Sequence, residues 1–308
     1  MSTAQAPEAW ATSMLCLTKA PNPAKHNEAK AVDLVAVHGL DTQAISSRWT
    51  TEDGTLWLRD LLPKDIRCAR VLAFNYNAKE IFTGPTTGTD RVAHNLLTAL
   101  VSTRKDIPST RPLVFLCHGL GGFVVEATVN YAFMHTSPFP EIGNCLKKII
   151  FLSTPQRPSP ESPWPILLVN CAKDSLYRWD APGSLDIEVL KAVERNSKSL
   201  QKLTVDFRKQ AIRIKVKILA CYEQLPTPPQ QRCSITETHA SLALKAEKLR
   251  QMVGCDYQSM ARFANREDEN YKAIVSAVKK VLKSASQTTE PGETGRIPVR
   301  EIFPPFVN

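Results

Sequence analysis

Short β-branched runs alternate along the chain with longer stretches in which apolar residues recur every three or four positions. Val32–Val37, Arg70–Phe74, Leu113–Cys117, Lys148–Leu152 and Ile214–Cys221 are such runs, each apolar on both faces and bounded by Gly, Pro, Asn or polar residues. A strand with no polar face is covered on both sides, as the inner strands of a parallel sheet are. Helical spacing lies between the runs. Past Gly88, Thr89 or Asp90 can cap a helix carrying Val92, Leu96 and Leu100 on one face. Gly121 to about Met134 follows a strand directly. Ser184 to about Arg195 sets Ile187, Val189, Leu190 and Val193 on an apolar side, and Tyr271–Leu282 brings Ile274, Val278 and Leu282 into register. The alternation predicts an α/β class, a mostly parallel central sheet covered by helices on both faces.

The same pass sets the organisation. Residues 1–29 read as a flexible arm, 30–283 as one domain, and 284–308 as a linker-like tail. Residues 155–183 hold six prolines and two tryptophans and show no obvious regular element. The wider stretch 155–205 is expected to be a lid over the site.

The chemistry gathers at LVFLCHGLGGFVVEATV, which reads as strand, sharp turn and helix. In α/β-hydrolases such a turn is G-x-S-x-G, with the nucleophile on a strained elbow and helix N-terminal amides facing an oxyanion. Here the turn is Cys117-His118-Gly119-Leu120-Gly121-Gly122, so the nucleophile position is Gly119. Glycine has no side chain with which to form an acyl-enzyme. A phosphate-binding loop fits less well, because neither the Lys-Ser/Thr of a P-loop nor GxGxxG spacing is present.

With these runs in this order, the sequence resembles the serine-hydrolase-like domains, related to eukaryotic lipid esterases, at the N-terminus of many fungal NOD-like receptors, and their stand-alone relatives. The resemblance covers roughly 30–283. It rests on VAVHGLDT at 35–42, Trp49, Trp57 to Pro63, ARVLAFNYNA at 69–78, RPLVFLCHGLGGFVV at 111–125, IIFLSTPQRP at 149–158, ILACYE at 218–223 and MARFANREDENY at 260–271. It implies the α/β-hydrolase fold. It also implies a degenerate triad. The family's H-S-L-G-G is His118-Gly119-Leu120-Gly121-Gly122 here, its G-T-P-H-R-G is Ser153 to Pro158 with Gln156 in place of the histidine, and its catalytic histidine falls on Tyr257. Only the acid is kept, as Glu223. A phenol with an ordinary pKa near ~10 is no neutral-pH base.

Other groups compete for roles. His239 follows Glu223 in the right chain order to replace the missing base, or is a polar loop residue. The His38-Gly39 loop and Leu120 would supply oxyanion amides through backbone, with Gln156 beside the cleft. His118 reads as structural, and Cys117 should point into the sheet core rather than act as a substitute nucleophile. Six scattered histidines without HExxH give no metal site, and no cofactor is expected.

Composition narrows the classes. The net charge is +9, but the cations are scattered and accompany no aromatic-basic motif, so nucleic acid is not an expected partner. The densest cluster, Lys279, Lys280 and Lys283, reads as a solvated helix end. Eight cysteines show no CxxC spacing and several sit in apolar runs, pointing to a reducing, cytoplasmic compartment. No secretory signal and no transmembrane span is expected. Three functions remain: a non-hydrolytic protein holding a small apolar or acyl ligand, an accessory or cyclase-like factor for instance in secondary-metabolite biosynthesis; an interaction or signalling module with a protein partner; and a hydrolase using substitute residues.

Overall fold

The computed structural model describes residues 12–18, 31–40, 47–79, 81, 88–134, 139–177 and 186–287. Its centre is a seven-stranded sheet: β1 (Ser13–Cys16), β2 (Val32–Val37), β3 (Ala69–Asn75), β4 (Leu113–His118), β5 (Leu146–Leu152), β6 (Lys217–Glu223) and β7 (Glu247–Met252). The strand order is β1-β3-β2-β4-β5-β6-β7. Every pairing is parallel except β1 with β3. The longer helices are α1 (Gly88–Arg104), α2 (Gly121–Met134), α3 (Trp164–Leu176), α4 (Ile187–Arg195), α5 (Ser197–Ile214) and α6 (Glu269–Gln287). None of the described helices is long and apolar enough to cross a membrane.

The period of two along the strands builds two cores. Val35, Val37, Phe115 and Cys117 face one side, against Leu96, Phe123, Leu167 and Phe207 of α1, α2, α3 and α5. Leu34, Ala36, Val114 and Leu116 face the other, against Trp49, Trp57, Phe263 and Tyr271, Ile274 and Val278 of α6. Strands wedged between two such layers carry no polar face because none is exposed.

Several expectations change. Part of the segment read as a loose arm, Ser13–Cys16, is the edge strand β1; 1–11 and 19–30 lie outside the described residues. The last inner strand starts at Lys217, not Ile214, because Ile214 closes α5 and Lys215 turns off in the left-handed conformation at φ 54°. In α4 Val189 and Val193 are buried, but Ile187 is 62% exposed. The Pro-rich stretch expected to be irregular contains α3, and α5 follows it. The last helix runs to Gln287, past the expected start of the tail; 288–308 lie outside the described residues.

One buried charge ties this scaffold together at the entry end of β2. Asp33 is fully buried and bound by Arg70 through two hydrogen bonds of 2.9 and 2.8 Å, and by Arg104, with Arg111 3.7 Å away. The same arginines reach the Thr103 and Arg111 carbonyls, so the carboxylate clamps the end of α1 to β2, β3 and β4. Removing one partner of a buried cluster leaves uncompensated charge, which costs about 3–5 kcal/mol. Asp33→Asn should therefore lower the urea unfolding free energy by roughly that amount. A loss below about 1 kcal/mol, the size of an exposed pair, would contradict the clamp.

Candidate functional site

In-register parallel pairing sets the carboxyl ends of the strands side by side. Val37 pairs with Cys117, Cys117 with Phe151, and Leu152 with Cys221. The chain therefore leaves the sheet at neighbouring points through His38-Gly39, Gly119, Ser153 and Glu223.

Gly119 is the turn between β4 and α2. Its φ is +53°, a region that costs an L side chain energy. Its amide donates to the Leu152 carbonyl at 2.8 Å, and its carbonyl accepts from Thr154 Oγ1 at 3.0 Å. The β2 exit lies directly against this turn. A side-chain carbon on Gly39 would stand 2.7 Å from the His118 carbonyl oxygen and 3.3 Å from the Leu120 amide nitrogen. The backbones of the β2 exit and of the turn at Gly119 are thus packed directly against each other, with no side chain at position 119. The His38 ring stacks on Tyr76 at 4.5 Å, and its Nδ1 turns to the Gly39 carbonyl at 2.8 Å, so the imidazole faces its own loop.

Tyr257 fills the space above Gly119. A Cβ built on residue 119 would fall on the tyrosine hydroxyl, 2.7 Å from ring carbon Cζ. The phenol is fully buried, with its hydroxyl against Ser175 Oγ of α3 and the Arg48 guanidinium 6.0 Å from the ring centre. Its amide donates to Thr227 Oγ1 at 3.1 Å. Burial, then the Cys171 thiol, holds its pKa well above the ordinary phenol value. It is a neutral group that cannot serve as a base. His118 is buried too, and burial followed by the Arg48 charge pushes its pKa well down. The neutral ring donates from Nε2 to the Tyr257 carbonyl at 2.8 Å, and among the described residues Nδ1 meets no hydrogen-bond partner. His118 thereby fixes the loop that presents the phenol.

Helix α3 closes the assembly. Arg48 donates to Gln258 Oε1 at 2.5 Å and to the Ser175 carbonyl at 3.2 Å, and Gln258 donates to the Asp174 carbonyl. Trp164 meets Phe123 edge-on at 6.3 Å. Within the stretch expected as a lid, the last turn of α3 is tied to Tyr257 and its loop through Ser175, Arg48 and Gln258.

Glu223 stands apart from the phenol. One carboxyl oxygen is bound by Ser153 Oγ and the other accepts from the Ser234 amide at 3.1 Å. Among the described residues no hydrogen bond joins Glu223 to Tyr257. Burial pushes the Glu223 pKa up to about 8. Ser153 takes a left-handed φ of 47°, strain that its contact with the carboxyl offsets. Gln156 does not line an open cleft: it is buried beside Glu126 of α2, whose carboxyl accepts from Thr204 of α5 at 2.7 Å.

His239 goes elsewhere. Nδ1 faces the Ser234 carbonyl at 3.0 Å and Nε2 faces Ser159 Oγ at 3.3 Å. Burial lowers its pKa. A cavity of about 920 Å³ opens beside this pair, lined by Ser159, Ile166, Gln230, Cys233 and Thr236 among others. Among the described residues no group of three His, Cys, Asp or Glu is placed to hold a metal ion.

Arg48, Ser153, Asp174, Ser175 and Gln258 were not singled out by their local sequence. Asp174 and Ser175 had a usable signal. Trp164, Leu167, Leu168, Cys171, Ala172 and Ser175 are all buried at helical spacing within the Pro-rich stretch.

No family model and no curated protein matches the sequence. Solved structures resemble the fold. A lipase from Bacillus licheniformis, BlEst2 in mature form, aligns at 15% identity and a TM-score of 0.52, over 87% of this chain and 97% of its own. Carboxyl esterase 2 from the mycorrhizal fungus Tuber melanosporum aligns at 15% and 0.48, over 92% and 89%. A monoacylglycerol lipase from Paleococcus ferrophilus aligns at 17% and 0.43, over 82% and 94%. The chain has the α/β-hydrolase fold, with a mostly parallel sheet covered on both faces.

Three buried carboxyls make the stability pH-dependent. Burial raises Glu126 and Glu223 to about 8 and Asp174 to about 7. Each holds its proton more tightly folded than unfolded. The native state therefore carries extra protons between the ordinary carboxyl range, near 4, and about 8, and stability is lost as pH rises through that window. Urea unfolding at pH 5, 6.5 and 8 should show the decline, and Glu126→Gln should flatten it by roughly 1–3 kcal/mol. Stability that rises across the window would contradict the neutral-carboxyl assignment.

Proposed function

We propose that the chain is a non-hydrolytic interaction or signalling module built on the α/β-hydrolase fold. The observation that supports this most is the Tyr257 phenol in the volume a side chain at position 119 would need. Acyl transfer requires a nucleophile, a base within hydrogen-bond reach and an acid orienting that base. Here the first position has no side chain, the second holds a neutral phenol, and the third is a protonated carboxyl bound to serines. A small acyl ligand in the old cleft, as an accessory or cyclase-like factor in secondary metabolism would hold, requires Tyr257 and α3 to move apart. An interaction module needs no such opening, and the resemblance to receptor N-terminal domains lies in the same direction. The eight free cysteines suit a reducing, cytoplasmic compartment.

A second reading has one observation in its favour. With Nδ1–H on the Ser234 carbonyl, His239 turns an Nε2 lone pair towards Ser159 Oγ at 3.3 Å, beside an open cavity. A serine–histidine pair of this kind is the minimum for a substitute hydrolase. One experiment separates the two. Purified protein treated with a fluorophosphonate probe and with p-nitrophenyl butyrate should show neither labelling nor turnover above the buffer rate. Labelling that maps to Ser159 and vanishes in Ser159→Ala would establish the hydrolase reading and sink the module without chemistry.

A further inference from the structure

The far edge of the sheet, where the strands begin, carries a different feature. A cavity of about 680 Å³ lies there, within the size range of small-ligand pockets. Its floor is apolar, formed by Leu146, Ile218 and Val281, all buried, and by Ile214. Its walls are lysine. Lys147 and Lys148 come from the start of β5, Lys215 and Lys217 from the entry to β6, and Lys248 from β7. Lys280 and Lys283 come from the last turns of α6.

Among the described residues no carboxylate lines this cavity. The ion pairs made by other lysines, at Lys79, Lys191, Lys202, Lys209 and Lys272, involve none of these seven. Parallel pairing forces the crowding, since Lys148 sits opposite Lys217, and Leu219, two residues on, pairs with Lys248. The half-buried Lys148 ammonium is pushed below its ordinary pKa, by burial first and then by the charges of Lys280, Lys248 and Lys217. Like charges held together around apolar surface without a counterion raise the energy of the free protein. An anion with an apolar tail relieves both terms at once. Seven cations suit a multiply charged phosphate better than a single carboxylate, and a concavity with an apolar floor suits a chain better than a nucleic-acid backbone.

We propose that this lysine-walled pocket binds a phosphorylated amphiphile, with the phosphate head group among the lysines and the apolar chain on the floor between β5, β6 and α6. The site is at the opposite edge from Gly119 and stands independently of how that centre is read.

Octyl phosphate, inorganic phosphate and octyl glucoside, each below its micelle concentration, would be titrated into the full chain by calorimetry. Octyl phosphate should bind about tenfold or more tighter than either of the others, and less tightly in high salt. The triple variant Lys148→Gln/Lys217→Gln/Lys248→Gln should lose about tenfold or more of that affinity while keeping its melting temperature. If the triple variant is unstable, Lys280→Gln/Lys283→Gln on the exposed end of α6 gives the same readout. Flotation with phosphatidylcholine vesicles, with and without about one-fifth phosphatidate, identifies the source. Flotation only with phosphatidate assigns the head group to a bilayer lipid, whereas octyl phosphate binding without flotation assigns it to a free amphiphile. Octyl phosphate binding no tighter than that of either control, or unchanged in the lysine variants, would overturn the proposal. A short DNA duplex bound through these lysines in place of octyl phosphate would overturn it in favour of a nucleic-acid surface.

Discussion

Two groups cannot occupy the volume above residue 119, and that exclusion organises this end of the molecule. Because Gly119 has no Cβ, the Tyr257 ring can descend onto the strand-to-helix turn. Once buried, its hydroxyl needs a partner, which Ser175 on α3 supplies. The helix is then held at a fixed height, and Arg48 and Gln258 secure its last turn to the same loop. α3 is thereby part of a continuous core running from β4 to α3.

The electrostatics follow from the same closure. Sealed from water, the Glu223 carboxyl has its pKa pushed up to about 8 and is held by Ser153 Oγ and the Ser234 amide, and Asp174 and Glu126 are pushed the same way. His118 and Tyr257 stay neutral beside them. Burial drives these carboxyls, the imidazole and the phenol towards their uncharged forms around the Arg48 guanidinium. At the opposite edge, seven lysines from β5, the entry to β6, β7 and α6 surround an apolar floor.

Much of this was legible in the chain. The inner strands announced themselves because burial on both faces leaves no polar alternation, and β2 and α2 fall on the residues their patterns named. The elbow was legible as a strand, a glycine-rich turn and a helix. Other elements were hidden for physical reasons. β1 is a short edge strand with exposed residues, and β7 is polar, with Lys248, Leu249 and Gln251 exposed, so neither shows a buried run. α3 was masked by prolines at its start, where proline is compatible with a helix. α5 carries its buried face on Leu200, Thr204, Phe207 and Ala211, a helical spacing diluted by threonine and alanine. Tyr257 could be matched to the histidine position, but no local pattern could show that its ring would point into the space left by Gly119. That fact joins residues far apart in the chain and needs the assembled sheet.

A double-mutant cycle between residues 119 and 257 measures the shared volume directly. Gly119→Ala adds one methyl group, and its cost would be determined by urea unfolding in the native sequence and again with Tyr257→Ala. In the native sequence the methyl meets the phenol as well as the left-handed backbone, so the loss should exceed the backbone strain of about 1–2 kcal/mol by a further 1–3 kcal/mol. With the ring removed, only the backbone strain should remain. An equal cost in both backgrounds would mean that Tyr257 does not occupy the space above Gly119, and that the centre is open.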